Sequence, residues 1–294
     1  MVWLLAIPVV FLWWLKSLKT ARQLDRLERL MLFEPTGPSG LSQNDITVMI
    51  AVRDRLDYRL ENALQSIRTQ SYDQSLIQIL LVDYSSQEEL IPNYQKLCET
   101  FKALYLRIDG QPFFRKGDCL NQGLLQVKTK FLLICDVDII FENNYIETAV
   151  QRMQKSCNQI IMSRMLDLPE GAVNSVVNVL EEYPKLKQIA TQRGVKFSRY
   201  LYGKAMCMSF TRYFRLVGGY DDTFALWGFE DDDLFQRFRE IGLKTTCISD
   251  ATSYLHQWHP KYEGVSNHPD FQKKMSENKA KYKKRWVRKG FWSR

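Results

Sequence analysis

Between residues 45 and 138 the chain alternates apolar runs with segments of helical spacing, and no other feature restricts its folding as much. The runs are "DITVMIAV" (45–52), "SLIQILLVD" (75–83), "ALYLRI" (103–108) and "KFLLICDVD" (130–138). Between them lie "DYRLENALQSIRTQ" (57–70), "QEELIPNYQKLCETF" (87–101, helical despite Pro92) and "KGDCLNQGLLQV" (116–127). Strand, helix, strand, helix predicts an α/β fold with a mostly parallel sheet and helices on both faces. Uninterrupted runs such as "FLLIC" fit strands buried on both sides rather than strands with one wet face. Ligands of such sheets bind beyond the carboxyl ends of the strands. Asp83, Asp136 and Asp138 fall at those ends, on one rim facing one cleft.

After residue 140 the pattern is less regular. "NYIETAVQRMQKS" and "EDDDLFQRFREIG" (230–242) have helical spacing, whereas "QIIMSRML", "GKAMCMSF" (203–210) and "LKTTCIS" read as strands. "EPTGPSGLSQN" (34–44) has linker composition, so the ordered domain is expected to span 45–265. Six cysteines without a CxxC pair, and no Asn-x-Ser/Thr acceptor, favour a reducing compartment.

Both ends of the chain are unlike its middle. "MVWLLAIPVVFLWWL" is apolar for 15 residues and is followed by Lys16, Lys19, Arg22, Arg26 and Arg29. As a helix it would span roughly 22 Å, short of a ~30 Å hydrocarbon core. Residues 1–33 therefore read as a membrane-associating segment, a short anchor or an interfacial helix, with its positive flank keeping the body on the cytoplasmic side. At the other end, residues 273–294 hold ten Lys/Arg against one Glu, so of the net +8 everything earlier sums to −1. In the basic tail (266–294), Trp286, Phe291 and Trp292 are interleaved with this charge, which suits an anionic lipid surface; no nucleic-acid-binding fold accompanies it.

Asp136 and Asp138, two apart at a strand end, are expected to project to one side about 6.6 Å apart and to address one hard cation. Mg²⁺ and Mn²⁺ prefer carboxylate oxygens and bridge to phosphates. A second acidic group, "WGFEDDDLF" (227–235), opens a predicted helix, where acids stabilise the dipole. "SYLHQWHPKYEG" supplies His256 and His259.

In order along the chain, these motifs resemble those of GT-A-fold inverting glycosyltransferases, family 2-like with a C-terminal half of the β-1,4-galactosyltransferase type. "ITVMIAVRDR", with Arg53, is similar to the first nucleotide-binding strand, although Ala51 stands where the family often has Pro. "ILLVDYSS" resembles the strand whose Asp binds uracil, here Asp83, and "FLLICDVDIIF" resembles the DxD region. "FFRKGDCLNQGL" matches a motif in which Lys116 replaces Arg and Asn121 and Gly123 are kept. "GGYDDTFALWGFEDDDLFQRF" is similar to a WGGEDDD stretch with Phe229 in place of the second Gly, a ring expected to narrow the cleft. The resemblance covers residues 45 to about 260.

It implies a UDP-sugar donor of Gal, GalNAc or Glc type, a glycan or lipid-linked acceptor, and a Mn²⁺ (or Mg²⁺) cofactor. It makes Arg53, Asp83, Lys116, Asn121 and Asp136 nucleotide-sugar contacts. Asp138 and His256 become metal ligands together with Asp136, with His259 as the alternative histidine. Asp231 becomes the base, Asp232 its alternative, and Glu230 an acceptor-binding partner beside Trp227 and Gly228. "LEEYPKLKQIATQRGVKFSRYLYG" (180–203) would belong to the acceptor side. A non-catalytic glycan-binding relative would be expected to lack an acid or a metal ligand, and all are present. A sugar nucleotidyltransferase would need a Gly-rich loop after the first strand, and "AVRDRLDYR" has no glycine.

Overall fold

Each apolar run becomes a strand whose alternate side chains feed two separate cores. The computed structural model describes residues 44–110, 112–192, 202–226, 228–260 and 268–286. In chain order, the first half contains β1 (Ile46–Val52), α1 (Tyr58–Arg68), β2 (Ile77–Tyr84), α2 (Ile91–Thr100), β3 (Ala103–Ile108), α3 (Lys116–Gln126) and β4 (Phe131–Cys135). Then come β5 (Ile139–Phe141), α4 (Tyr145–Lys155), β6 (Gln159–Asp167), α5 (Val179–Ile189), β7 (Thr191–Gln192), β8 (Tyr202–Phe210) and α6 (Thr211–Leu216). The chain continues through α7 (Glu230–Glu240), β9 (Lys244–Cys247), β10 (Tyr254–His256) and α8 (Phe271–Trp286).

The strands are ordered β3-β2-β1-β4-β8-β6-β10-β5, with β7 and β9 also paired to β6. β1 runs parallel to both β2 and β4, and β2 runs parallel to β3, as the alternation predicts. β8 departs from this: it lies antiparallel between β4 and β6. On β1, Val48 and Ile50 pack with Leu60 and Leu64 of α1, while Met49 packs with Cys119 and Leu120 of α3 and Leu234 and Phe238 of α7. Period-two alternation in a fully buried strand thus covers both faces. Gly123 is required at one crossing, because a Cβ there would lie 2.5 Å from Met49 Sδ.

Local chemistry sets several boundaries. Asp57 caps α1, accepting from Arg59 N at 2.9 Å. Pro92 does not interrupt a helix over 87–101; it sits in the first turn of α2, where its missing N–H has no intrahelical partner to lose. The larger correction is at the C-terminus. The basic segment is not a free tail up to residue 286: Phe271, Asn278, Tyr282 and Trp286, spaced as one helical face, are buried, and Lys273, Lys279, Lys283 and Lys284 between them are exposed. Residues 1–43 and 287–294, to which the apolar segment, most of the linker, Phe291 and Trp292 belong, lie outside the described residues. Among the described residues, no helix is long and apolar enough to cross a membrane.

Candidate active site

β4 stops at Cys135, so Asp136, Val137 and Asp138 form the turn into β5 rather than the strand's last residues. The strand period no longer applies there, and the two carboxylates part. Asp136 meets Lys116 Nζ at 2.8 Å. Asp138 instead turns toward His259 Nε2 at 3.3 Å and His256 Nε2 at 3.8 Å. Among the described residues the candidate metal group is Asp138 with both histidines, whose ligand atoms lie within 4.8 Å of one another, whereas Asp136, expected beside them, is paired with Lys116.

Sheet pairing builds this group. β10 pairs antiparallel with β5, placing His256 opposite Ile139, and Gln257 N donates to Asp138 O at 2.8 Å. β10 also runs parallel to β6, which brings Asp167 beside His256, with Nδ1 to Oδ1 at 3.1 Å. His259 Nδ1 faces the Pro260 carbonyl at 2.9 Å, a group that can only accept. With Nδ1 protonated on both rings, each Nε2 presents its lone pair to the same point. Asp138 Oδ1 is buried without a hydrogen-bond partner, a costly arrangement that a cation would relieve. One carboxylate and two imidazoles thus fit a divalent transition metal. Asp167 is not among the expected residues: the apolar run "QIIMSRML" ends at Leu166, and only the pairing of β6 with β10 brings the next residue to His256.

Across the cleft, α7 opens with Glu230, Asp231, Asp232 and Asp233 in its first turn. Lys116, the first residue of α3, lies 3.5 Å from Asp231 as well as 2.8 Å from Asp136. One ammonium therefore joins the acid after β4 to the acid of α7. Burial alone would depress its pKa, but Asp136, Asp231 and Glu230 overrule this and hold it raised. Burial, reinforced by the Asp231 charge, pushes Glu230 up to about 7. Burial likewise raises Asp231, with Lys116 opposing it. Asp231 Oδ1 is buried without a hydrogen-bond partner. It is Asp231, not the alternative Asp232, that meets Lys116.

The remaining expected residues have mixed fates. Asn121 brackets the Tyr220 backbone: Nδ2 donates to Tyr220 O at 2.9 Å, and Oδ1 accepts from Tyr220 N at 2.7 Å. Gly219 (φ +68°) allows this, since a Cβ there would overlap Asn121 Oδ1. Asp83 is fully buried, accepting from Ser86 N at 2.9 Å, Tyr105 Oη at 2.6 Å and Arg107 Nη1 at 2.9 Å. It organises the rim from within, holding Ser86, Tyr105 and Arg107. Arg53 Nη2 donates to the Pro112 carbonyl at 2.9 Å. Gly228 (φ +95°) is in the left-handed region, and Trp227 lies outside the described residues. Phe229 does not narrow the cleft: its ring packs on Tyr282 of α8 at 5.4 Å.

Two family models match most of the chain. The family model described as "Glycosyl transferase family 2" matches residues 47–214, and that described as "N-terminal domain of galactosyltransferase" matches 189–260. Chondroitin sulfate N-acetylgalactosaminyltransferase 1 of Mus musculus is 23% identical over 269 residues, covering 86% of this chain and 49% of the relative. The Homo sapiens protein of the same name is 23% identical over 250 residues, covering 80% and 46%. The chain thus spans about half the length of the curated relatives it matches. Among solved structures, GalNAc-T7 with UDP, GalNAc and Mn²⁺ superposes with a TM-score of 0.60 at 14% identity, covering 83% of this chain and 48% of that one. S. aureus TarS gives a TM-score of 0.53 at 12% identity, covering 74% and 37%. These likenesses show the GT-A fold.

Proposed function

The chain belongs to glycosyl transferase family 2, and from that premise we propose that it transfers a sugar, with inversion, from a UDP-sugar to a hydroxyl of a glycan or lipid-linked acceptor. The observation that carries the reading is the Lys116 bridge, which sets a carboxylate with a vacant oxygen, Asp231, beside the rim that bears Asp136 and Asp138. Asp138, His256 and His259 would hold a divalent cation, which when bound neutralises charge on a diphosphate leaving group. Two imidazoles favour Mn²⁺ over Mg²⁺.

Asp231 accepts the acceptor's hydroxyl proton at Oδ1. The freed oxygen pair attacks the anomeric carbon, and the bond to the diphosphate breaks on the opposite face, releasing UDP. Lys116 opposes the rise that burial imposes on Asp231 and offsets its repulsion from Asp136. Glu230, titrating near neutrality, can exchange a hydrogen bond with the incoming hydroxyl. The names of the relatives favour GalNAc among candidate sugars, with Gal and Glc as the other arms of the test. The apolar N-terminal segment is proposed to hold the enzyme at a membrane surface with the catalytic domain on the cytoplasmic side.

A panel of UDP-sugars with Mn²⁺, scored for UDP release with and without acceptor oligosaccharides, tests this directly. Asp231→Asn should retain UDP binding and lose about 10²- to 10⁴-fold in transfer. Full transfer by a variant that still binds UDP would remove Asp231 from its role.

A further inference from the structure

The acids of α7 alternate in what they face. Asp231 meets Lys116 in the cleft, whereas Asp233, two residues on, is fully buried and points away from it. Asp233 Oδ1 accepts from Trp286 Nε1 at 2.8 Å and Arg285 Nη1 at 2.7 Å, and Oδ2 accepts from Arg237 Nε at 2.8 Å. Trp286 and Arg285 are the last residues of α8, some fifty positions away in sequence. A buried carboxylate is tolerable when it is saturated in this way, and removing one partner leaves a costly charge.

The same helix follows the loop that leads into α7. Asn278 Nδ2 donates to Ala225 O at 2.9 Å, and its Oδ1 accepts from Ala225 N at 3.4 Å. Lys281 and Arg285 pair with Asp221 at 3.4 and 2.8 Å. Tyr282 packs against Phe229 with the rings tilted, and Phe224, Tyr282 and Trp286 form a small core of their own. That loop needs support. Leu226 (φ +63°) and Phe229 (φ +75°) are in the left-handed region, which side chains with a Cβ occupy at a cost unless their surroundings compel them.

We propose that α8 is part of the transfer apparatus: through the Trp286–Asp233 bond it fixes the first turn of α7, so that Asp231 and Glu230 point into the cleft. Trp286 and Asp233 are positioning residues that act through Asp231. The inference rests on the functional reading above, but its physical core, the rigidity that α8 confers on residues 221–226 and 228–236, can be measured without turnover.

The experiment uses the full chain as wild type, Trp286→Phe, Asp233→Asn and the double variant, with Lys279→Ala on the exposed face of α8 as control. In Trp286→Phe, amides in 221–236 should exchange faster while those of β1 stay protected. Affinity for UDP should remain within about twofold, while kcat falls about tenfold or more at little-changed donor KM. The double variant should be no worse than the poorer single, because the Trp286 bond is one of those that Asp233→Asn already perturbs. Unchanged exchange in 221–236, a loss confined to KM, or losses that multiply in the double variant would overturn the proposal. Should Trp286→Phe expose β1 as well, Asp233→Asn, which preserves shape, is judged by the same criteria. A wild-type chain that turns over no UDP-sugar would remove the functional reading and leave the exchange comparison to decide the brace.

Discussion

At Lys116 a single ammonium faces Asp136 at 2.8 Å and Asp231 at 3.5 Å, with Glu230 close enough to add to the field. Removing that charge should raise both α7 acids, since Lys116 lowers each of them. In Lys116→Gln the acid limb of kcat/KM is therefore expected at higher pH than in wild type, read from a pH–rate profile; a limb moving to lower pH would contradict the assignment. Glu230 gives a stability counterpart. Its folded value of about 7 exceeds the ~4.3 of an unfolded glutamate, so between these the folded chain binds more protons. Stability then falls as pH rises through that window, and the charged form is a burden above it. Glu230→Gln should melt higher than wild type at pH 8 and show no advantage below about pH 4, while transfer falls. Burial of a titratable group at the cost of stability is what a working acid–base site demands. None of this is visible in "WGFEDDDLF" alone, where four acids look equivalent; only their angular positions on α7 separate Asp231 in the cleft from Asp233 in the core.

At the scale of elements, the strands of the first half were legible because burial on both faces leaves an uninterrupted apolar signature. The rim position of Asp83, Asp136 and Asp138 followed from it. Where β4 ends did not, since a turn of one apolar and two acidic residues continues the same pattern, and that boundary decides which carboxylates share a ligand. β10, only three residues long, is fixed by its pairing with β5 and β6 more than by its composition. The candidate metal group of Asp138, His256 and His259 makes a sharp prediction for calorimetric titration with Mn²⁺. Asp138→Asn and His259→Ala should each weaken binding by more than about tenfold, and Asp167→Asn, which orients His256, by about 10- to 100-fold. Asp136→Asn should leave the affinity nearly unchanged. Equal losses at Asp136 and Asp138 would restore the paired-carboxylate arrangement and refute the division between them.

Over the whole molecule, charge and apolarity are segregated toward the ends, and the docking of α8 changes what that segregation can do. Composition marks residues 273–294 as a basic run with interleaved aromatics, and nothing in composition reveals that Trp286 is 1% exposed and bonded to Asp233. With that ring committed inward, the described part of the tail offers lipid only the outward charge of residues such as Lys273, Lys279, Lys283 and Lys284. Attraction of that kind is electrostatic and fades as the screening length shrinks to about 3 Å in 1 M salt. The 15 apolar residues at the N-terminus would bind by removing surface from water, which salt does not weaken. Salt therefore separates the two ends in one co-sedimentation experiment with anionic vesicles. The full chain should pellet at both low and high salt. A chain beginning at residue 34 should pellet weakly at low salt and remain in the supernatant at 1 M, while keeping its UDP-sugar turnover on a water-soluble acceptor. Pelleting of the shortened chain at 1 M salt would place the anchor elsewhere in the molecule, and loss of turnover would mean that residues 1–33 contribute to the catalytic domain itself.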